Sequence, residues 1–131
     1  MQIWIILAIS VHALAAVFWM ATTGALARSG GLGAEALFPR QMIAIAIVVL
    51  TGGYLWSALH TGGFGAYEEV LAGGAALAVI AALIQAIGVG VSMGRLKTAR
   101  EAALKRITLC HRLAGPLLAL CLVCMVVARF V

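Results

Sequence analysis

The chain has 131 residues, of which 65% are hydrophobic and only 10% are charged, and its formal net charge is +5. Soluble domains carry about 25% charged residues, so this composition, with a mean hydropathy of +1.16, excludes an ordinary water-soluble fold. The positive charges lie between apolar runs, as in membrane proteins, and do not form the continuous basic patch of a nucleic-acid binder. We therefore expect a lipid bilayer, and no nucleic acid, as the main partner.

The apolar runs predict an all-α polytopic membrane protein, a four-transmembrane-helix bundle that forms one domain over residues 1–131. Each run has about the 20 residues needed to cross a bilayer core of roughly 30 Å. The predicted helices cover about 3–27, 41–60, 67–94 and 106–130.

Glycine, proline and polar residues set the predicted helix ends. Pro39 is expected to begin or end a helix, and the glycines of 61–65 reverse the chain. The polar segment 95–105 extends helix 3 or helix 4 into water. The segment Ala25–Ala27 looks like a signal-peptidase site, but Met1-Gln2 carries no positive charge, so we expect helix 1 to be retained.

The distribution of basic residues predicts the orientation. The loops after helices 1 and 3 are rich in arginine and lysine, whereas the loop after helix 2 contains neither. Basic loops face the cytoplasm, which would leave both termini on the outer, periplasmic side of a bacterial inner membrane. Arg129, near the outer end, is the one basic residue that runs against this rule. The basic residues of the two loops are Arg28, Arg40, Arg95, Lys97, Arg100, Lys105 and Arg106.

Small residues recur every four positions along helix 3. Such a ladder allows another helix backbone to approach closely. It predicts a packing seam inside the bundle, and the same ladder would also serve a homo-oligomer or a larger membrane complex. Its members are Gly74, Ala78, Ala82, Ala86 and Gly90.

His12 is the only ionisable side chain inside the first apolar run, and such a residue marks a functional site by default. Ala15 and Ala16 lie one helical turn away, so they leave space beside the imidazole for a flat ring. A backbone carbonyl or Gln85 would satisfy one ring nitrogen and leave the other free to bind a metal.

Two further histidines are candidate partners for His12. His111 lies one turn into helix 4 and is flanked by small residues, whereas His60 ends helix 2 at the outer surface. Two imidazoles at similar depth can hold a haem iron between two helices, so His12 and His111 are the predicted metal ligands. Their depths, estimated from the helical rise, differ by roughly 9 Å.

The stretch from His12 to Ala21 resembles the first-helix motif of the HemJ-type protoporphyrinogen oxidases, which are related to the copper-resistance D family. In that motif a tryptophan follows the histidine by seven positions, as Trp19 does here. The resemblance implies a four-helix membrane protein that binds haem b through His12. The family's third-helix lysine has no counterpart in Tyr67-Glu68-Glu69, so the resemblance does not extend to the oxidase activity.

Three functions remain open from the sequence. The first is binding of haem b or a porphyrin, with a site formed by His12, Ala15, Ala16, Trp19 and His111. The second is copper binding or transport, with methionines as soft ligands. The third is a non-catalytic accessory subunit of a respiratory or photosynthetic complex. The methionines considered for copper are Met20, Met42 and Met93.

Overall fold

The computed structural model describes residues 1–131 and is entirely helical apart from its connecting loops. Four helices are long and apolar enough to cross a membrane, which confirms the predicted fold class. They are α1 (Gln2–Arg28), α2 (Ala34–Leu59), α3 (Ala66–Met93) and α4 (Arg100–Ala128). Within α3, the residues Ile84–Val89 form a π-helical segment.

Polar and apolar side chains are distributed as in a protein that lives in lipid. Leu14 and Leu50 are 72% and 73% exposed, whereas Gln41 and Gln85 are completely buried. Water would make this arrangement unfavourable, but a bilayer solvates apolar side chains and leaves buried polar groups to bond one another. The helices are thus those of a multi-pass membrane protein.

Three glycines build the turn between α1 and α2. Gly30 and Gly31 have φ of 69° and 84°, and Gly33 has φ of 87°. The N–H of Gly31 donates to the carbonyl of Leu26 at 3.0 Å, which is the 6→1 bond of a Schellman helix end. The turn is therefore completed by residue 33, and α2 begins at Ala34 and not near residue 41.

Pro39 lies inside α2 and does not mark its start. Since proline has no N–H, the carbonyl of Glu35, four residues earlier, lacks its usual helical donor. Pro39 lies only five residues after the start of the helix, so the break is confined to its first turns. The polar segment 95–105 extends α4, one of the two alternatives predicted for it. Its second half forms the first turns of α4, which begins at Arg100.

The helices form an open bundle in which α1 packs against α2 and α4, and α3 packs mainly against α4. The helices α2 and α3 barely touch each other. The end of the bundle with the α1–α2 and α3–α4 loops is called the basic end here, and the opposite end, with both termini, the terminal end. One apolar cluster around Trp19 fills the middle, and another around Leu26 fills the basic end.

Only part of the small-residue ladder faces the bundle interior. Gly74 is buried against α4, where an added Cβ would lie 2.9 Å from the Cβ of Cys124. Ala78, Ala82 and Gly90 are half-buried, and Ala86 is exposed. A strict four-residue repeat drifts by about 40° per step around a helix of 3.6 residues per turn, so the ladder leaves the seam. Ala81, one position off the ladder, is completely buried instead.

Candidate functional site

An apolar cavity of about 350 Å³ fills the gap between α2 and α3 in the half of the bundle toward the terminal end. Helix α1 contributes His12 and Trp19 to its wall, and α4 contributes Met125. Its size is at the lower end of the roughly 300–1,000 Å³ typical of ligand pockets. A few polar groups in a mostly apolar lining are also typical of such pockets.

The hydrogen bonds of His12 determine which of its nitrogens is free. The hydroxyl of Thr51 donates to the carbonyl of Ile47 at 2.6 Å. When this hydroxyl donates to Ile47, its oxygen is left to accept from Nδ1 of His12, 2.9 Å away, because a hydroxyl has only one proton. In that tautomer the neutral imidazole is protonated on Nδ1, and the lone pair is on Nε2, which makes no hydrogen bond within the protein.

Gly52 makes room for this imidazole. A Cβ added at Gly52 would lie 3.3 Å from Cε1 of His12, whereas one added at Gly53 would meet nothing within 4 Å. The ring of His12 thus lies directly against the α2 backbone. His12 is therefore positioned by Thr51 and Gly52, and it is the one residue of α1 in the cavity lining whose side chain can act as an acceptor.

His60 lies at the mouth of the same cavity. Its ring stacks between the rings of Trp56 and Tyr67, with centroid distances of 4.7 Å and 5.4 Å. These contacts join the ends of α2 and α3. The carbonyl of Trp56 accepts from Nδ1 of His60 at 3.2 Å. His60 follows Gly52 by eight positions, or about 12 Å along a helix, so His12 and His60 contact different parts of any ligand.

Below the cavity floor, a buried polar network joins all four helices. The indole N–H of Trp19 donates to the side-chain oxygen of Gln85, whose nitrogen donates to Thr23 at 2.8 Å. On the other side, Gln41 bonds both Thr23, at 3.2 Å, and His111, at 3.1 Å. The network connects α1 with α3 and α2 with α4, two helix pairs that have little backbone contact.

His111 belongs to this network, and both of its nitrogens are occupied. Nδ1 lies 2.8 Å from the carbonyl of Ile107, and Nε2 lies 3.1 Å from the side-chain oxygen of Gln41. A neutral imidazole donates only once, so a neutral His111 requires the Gln41 amide to turn its NH₂ group toward Nε2. The turned amide oxygen would then lie where the amide nitrogen lies, 3.0 Å from the hydroxyl oxygen of Thr22 and 3.2 Å from that of Thr23, and would accept from Thr23.

The predicted site residues are distributed over four places. His12 and Trp19 line the cavity, His111 is completely buried in the polar network, and Ala15 lies in a groove on the outside of α1 and α2. Ala16 packs against the apolar cluster around Trp19. His12 and His111 are therefore not brought into one cavity, and the space beside His12 comes from Gly52.

The sequence analysis missed Thr51, Gly52 and Gln41 as parts of a site. Gln85 was considered as the partner of His12, but it bonds Trp19 and Thr23. One usable signal was the presence of glutamine in two apolar runs, because polar side chains inside spans need partners. Another was the Thr51-Gly52-Gly53 sequence, a hydroxyl beside two residues without side chains.

None of Met20, Met42 and Met93, and none of the cysteines, lines the cavity of His12. Met20 and Met42 pack against the middle apolar cluster, and Met93 packs against the one at the basic end. The three cysteines are all on α4, where they are free thiols. No group of three or more His, Cys, Asp or Glu side chains is arranged to hold a metal ion.

Comparisons with protein-family models, with curated proteins and with solved structures found no match to this chain. The functional argument therefore depends on the cavity and on the bonding of His12.

Proposed function

We propose that this chain is an integral protein of the bacterial inner membrane that binds haem b or a porphyrin in the cavity, with Nε2 of His12 as the ligand. The observation that carries the proposal is the bond between Nδ1 of His12 and Thr51, which leaves Nε2 without a hydrogen bond on a residue that lines the apolar cavity. Neutral imidazole nitrogen is a good ligand for iron. A second protein group that orients the ring is usual for such a ligand.

The walls of the cavity also suit a flat apolar ring. Trp19 forms the floor and Trp56 the upper wall, and neither carries a formal charge. Because α2 and α3 have little contact with each other, they leave a gap through which the cavity would open toward lipid. A bound haem would supply one-electron redox chemistry, while His12 would provide a nitrogen ligand and the apolar lining would exclude water.

The proposal includes an orientation. The basic end faces the cytoplasm, because the two loops there and the adjoining helix ends carry the arginines and lysines, and the loop between α2 and α3 carries none. The cavity then lies in the periplasmic half of the membrane. The resemblance of the His12–Ala21 stretch to the HemJ-type proteins supports the same ligand.

Copper is the second candidate, and Met125 is the observation that favours it. Its thioether lines the same cavity as His12 and His60, and thioethers are preferred by Cu(I). Metal analysis of the purified protein distinguishes iron from copper. The visible spectrum does so as well, since a bound haem produces an intense Soret band and bound copper does not.

The test is the spectrum of the protein purified from haem-replete cells. We expect a b-type haem spectrum for the wild-type protein, loss of most of it in His12→Ala, and a much smaller loss in His60→Ala. The control Thr108→Val, outside the cavity lining, should retain the spectrum. Thr51→Val should weaken haem binding while it leaves the ligand in place. Wild-type protein without haem, or a folded His12→Ala protein with an unchanged spectrum, would show that the proposal is wrong.

A further inference from the structure

A second concave site lies on the outer surface of α1 and α2, separate from the cavity of His12. It is a groove of about 470 Å³, lined by four residues of α1 between Val11 and Phe18 and four of α2 between Arg40 and Ile47. Ala15 and Ala44 form its floor, because these small side chains let the two helices approach closely.

Large side chains form the walls of the groove. Leu14 and Ile43 are 72% and 62% exposed, and Phe18 is 39% exposed. Seven of the eight lining residues are hydrophobic. From Arg40 to Ile47 the groove runs about 10 Å along α2, and its surroundings in a membrane are acyl chains.

Arg40 is the only charged residue of the groove, and it lies at the end nearer the basic end of the bundle. The protein has only two ion pairs, Arg100–Glu35 and Lys105–Glu101, so no acidic side chain neutralises Arg40. As the seventh residue of α2 it lies about 9 Å along that helix. A side chain as long as arginine reaches from such a depth toward the headgroups.

We propose that this groove is a binding site for one anionic phospholipid, with an acyl chain between α1 and α2 and the phosphate on the guanidinium of Arg40. A guanidinium binds phosphate through two parallel hydrogen bonds. An anionic lipid is favoured over a zwitterionic one because no carboxylate of the protein offsets the charge of Arg40. The lipid comes from the leaflet at the basic end. The site is independent of any ligand in the cavity.

Arg112 provides a matched control for Arg40. The residues next to them, His111 and Gln41, share a hydrogen bond of 3.1 Å, so the depths of the two arginines differ by only about two residues, or roughly 3 Å. Both are exposed, but only Arg40 lines the groove. Replacement of either by glutamine removes the same charge from a similar level of the bundle.

The experiment measures thermal unfolding of the full-length protein in detergent while phosphatidylglycerol or phosphatidylcholine is added. The wild-type protein and Arg112→Gln should be stabilised more by phosphatidylglycerol. Arg40→Gln should bind that lipid about fivefold more weakly, as expected for one arginine near a membrane surface. Inorganic phosphate should not replace the lipid. An unchanged lipid response in Arg40→Gln, or an equal loss in Arg112→Gln, would overturn the proposal.

A second pair of variants tests the groove without a change in charge. Ile43 and Ile87 are each 62% exposed, and only Ile43 lines the groove. Ile43→Trp should reduce the number of phosphatidylglycerol molecules retained in native mass spectrometry, whereas Ile87→Trp should not. Equal retention in both variants would show that the lipid is not held in this groove.

Discussion

The indole of Trp19 donates its N–H to the side-chain oxygen of Gln85, and this bond spans the bundle between two helices with little backbone contact. Gln85 lies in the π-helical segment of α3, a type of segment that often occurs at functional sites. Trp19 also forms the floor of the cavity that contains His12. The network thus fixes the position of the cavity floor relative to α3.

A double-mutant cycle measures this link. Trp19→Phe and Gln85→Leu should each lower the free energy of unfolding in detergent, and their coupling energy should be about 0.6 kcal/mol and at most about 1.7 kcal/mol, the range for hydrogen bonds inside membranes. Trp19→Phe combined with Thr108→Val should be additive, because Thr108 bonds only within α4. A coupling energy near zero for the first pair would contradict the role of the bond.

Gly52 and Gly73 test the support of His12. Both substitutions by alanine add one methyl group to a helix, but only that at Gly52 meets the imidazole, at 3.3 Å, whereas Gly73 has open space and lies outside the cavity lining. We expect Gly52→Ala to weaken haem binding about fivefold, which corresponds to about 1 kcal/mol of overpacking. Gly73→Ala should bind haem as the wild-type protein does. Titration of haem into the purified proteins, followed at the Soret band, measures both affinities, and equal values would argue against contact with His12.

The seam between α3 and α4 is tested by Gly74 and Gly73. A Cβ at Gly74 would lie 2.9 Å from the Cβ of Cys124 and 3.2 Å from the carbonyl oxygen of Cys121, whereas one at Gly73 has open space. Gly74→Ala should lower the free energy of unfolding by about 1–3 kcal/mol, the usual cost of overpacking. Gly73→Ala should be neutral or slightly stabilising, since alanine favours helix. Thermal or denaturant unfolding in detergent compares the two variants. Equal free energies of unfolding would mean that α3 and α4 move apart to accept the methyl group without loss of stability.

Orientation is checked by fusions of a reporter that is active on one side of the membrane. Fusions at Gly30 and Thr98 should report the cytoplasm, and a fusion at Gly63 should report the periplasm. The reason is the excess of arginine and lysine at the basic end of the bundle. The opposite pattern would invert the proposed topology and place the cavity in the cytoplasmic half.

The sequence by itself determined the fold class and one central residue of the candidate site. Apolar runs of membrane-spanning length require helices, because a helix satisfies its own backbone hydrogen bonds without water. The same reasoning singled out His12, since an ionisable side chain in such a run needs a reason to be there. These inferences depend only on composition and spacing along one helix.

Only the tertiary structure decided which helices are neighbours and which polar groups meet. His111 and His12 are both histidines within apolar runs. Both ring nitrogens of His111 form hydrogen bonds, to Ile107 and Gln41, whereas only Nδ1 of His12 does. The position of Gln85 depends on the π-helical segment, and the start of α2 depends on a glycine turn that closes before Pro39. Contacts between helices are set by rotation and depth in the bundle, and periodicity along a single helix does not contain that information.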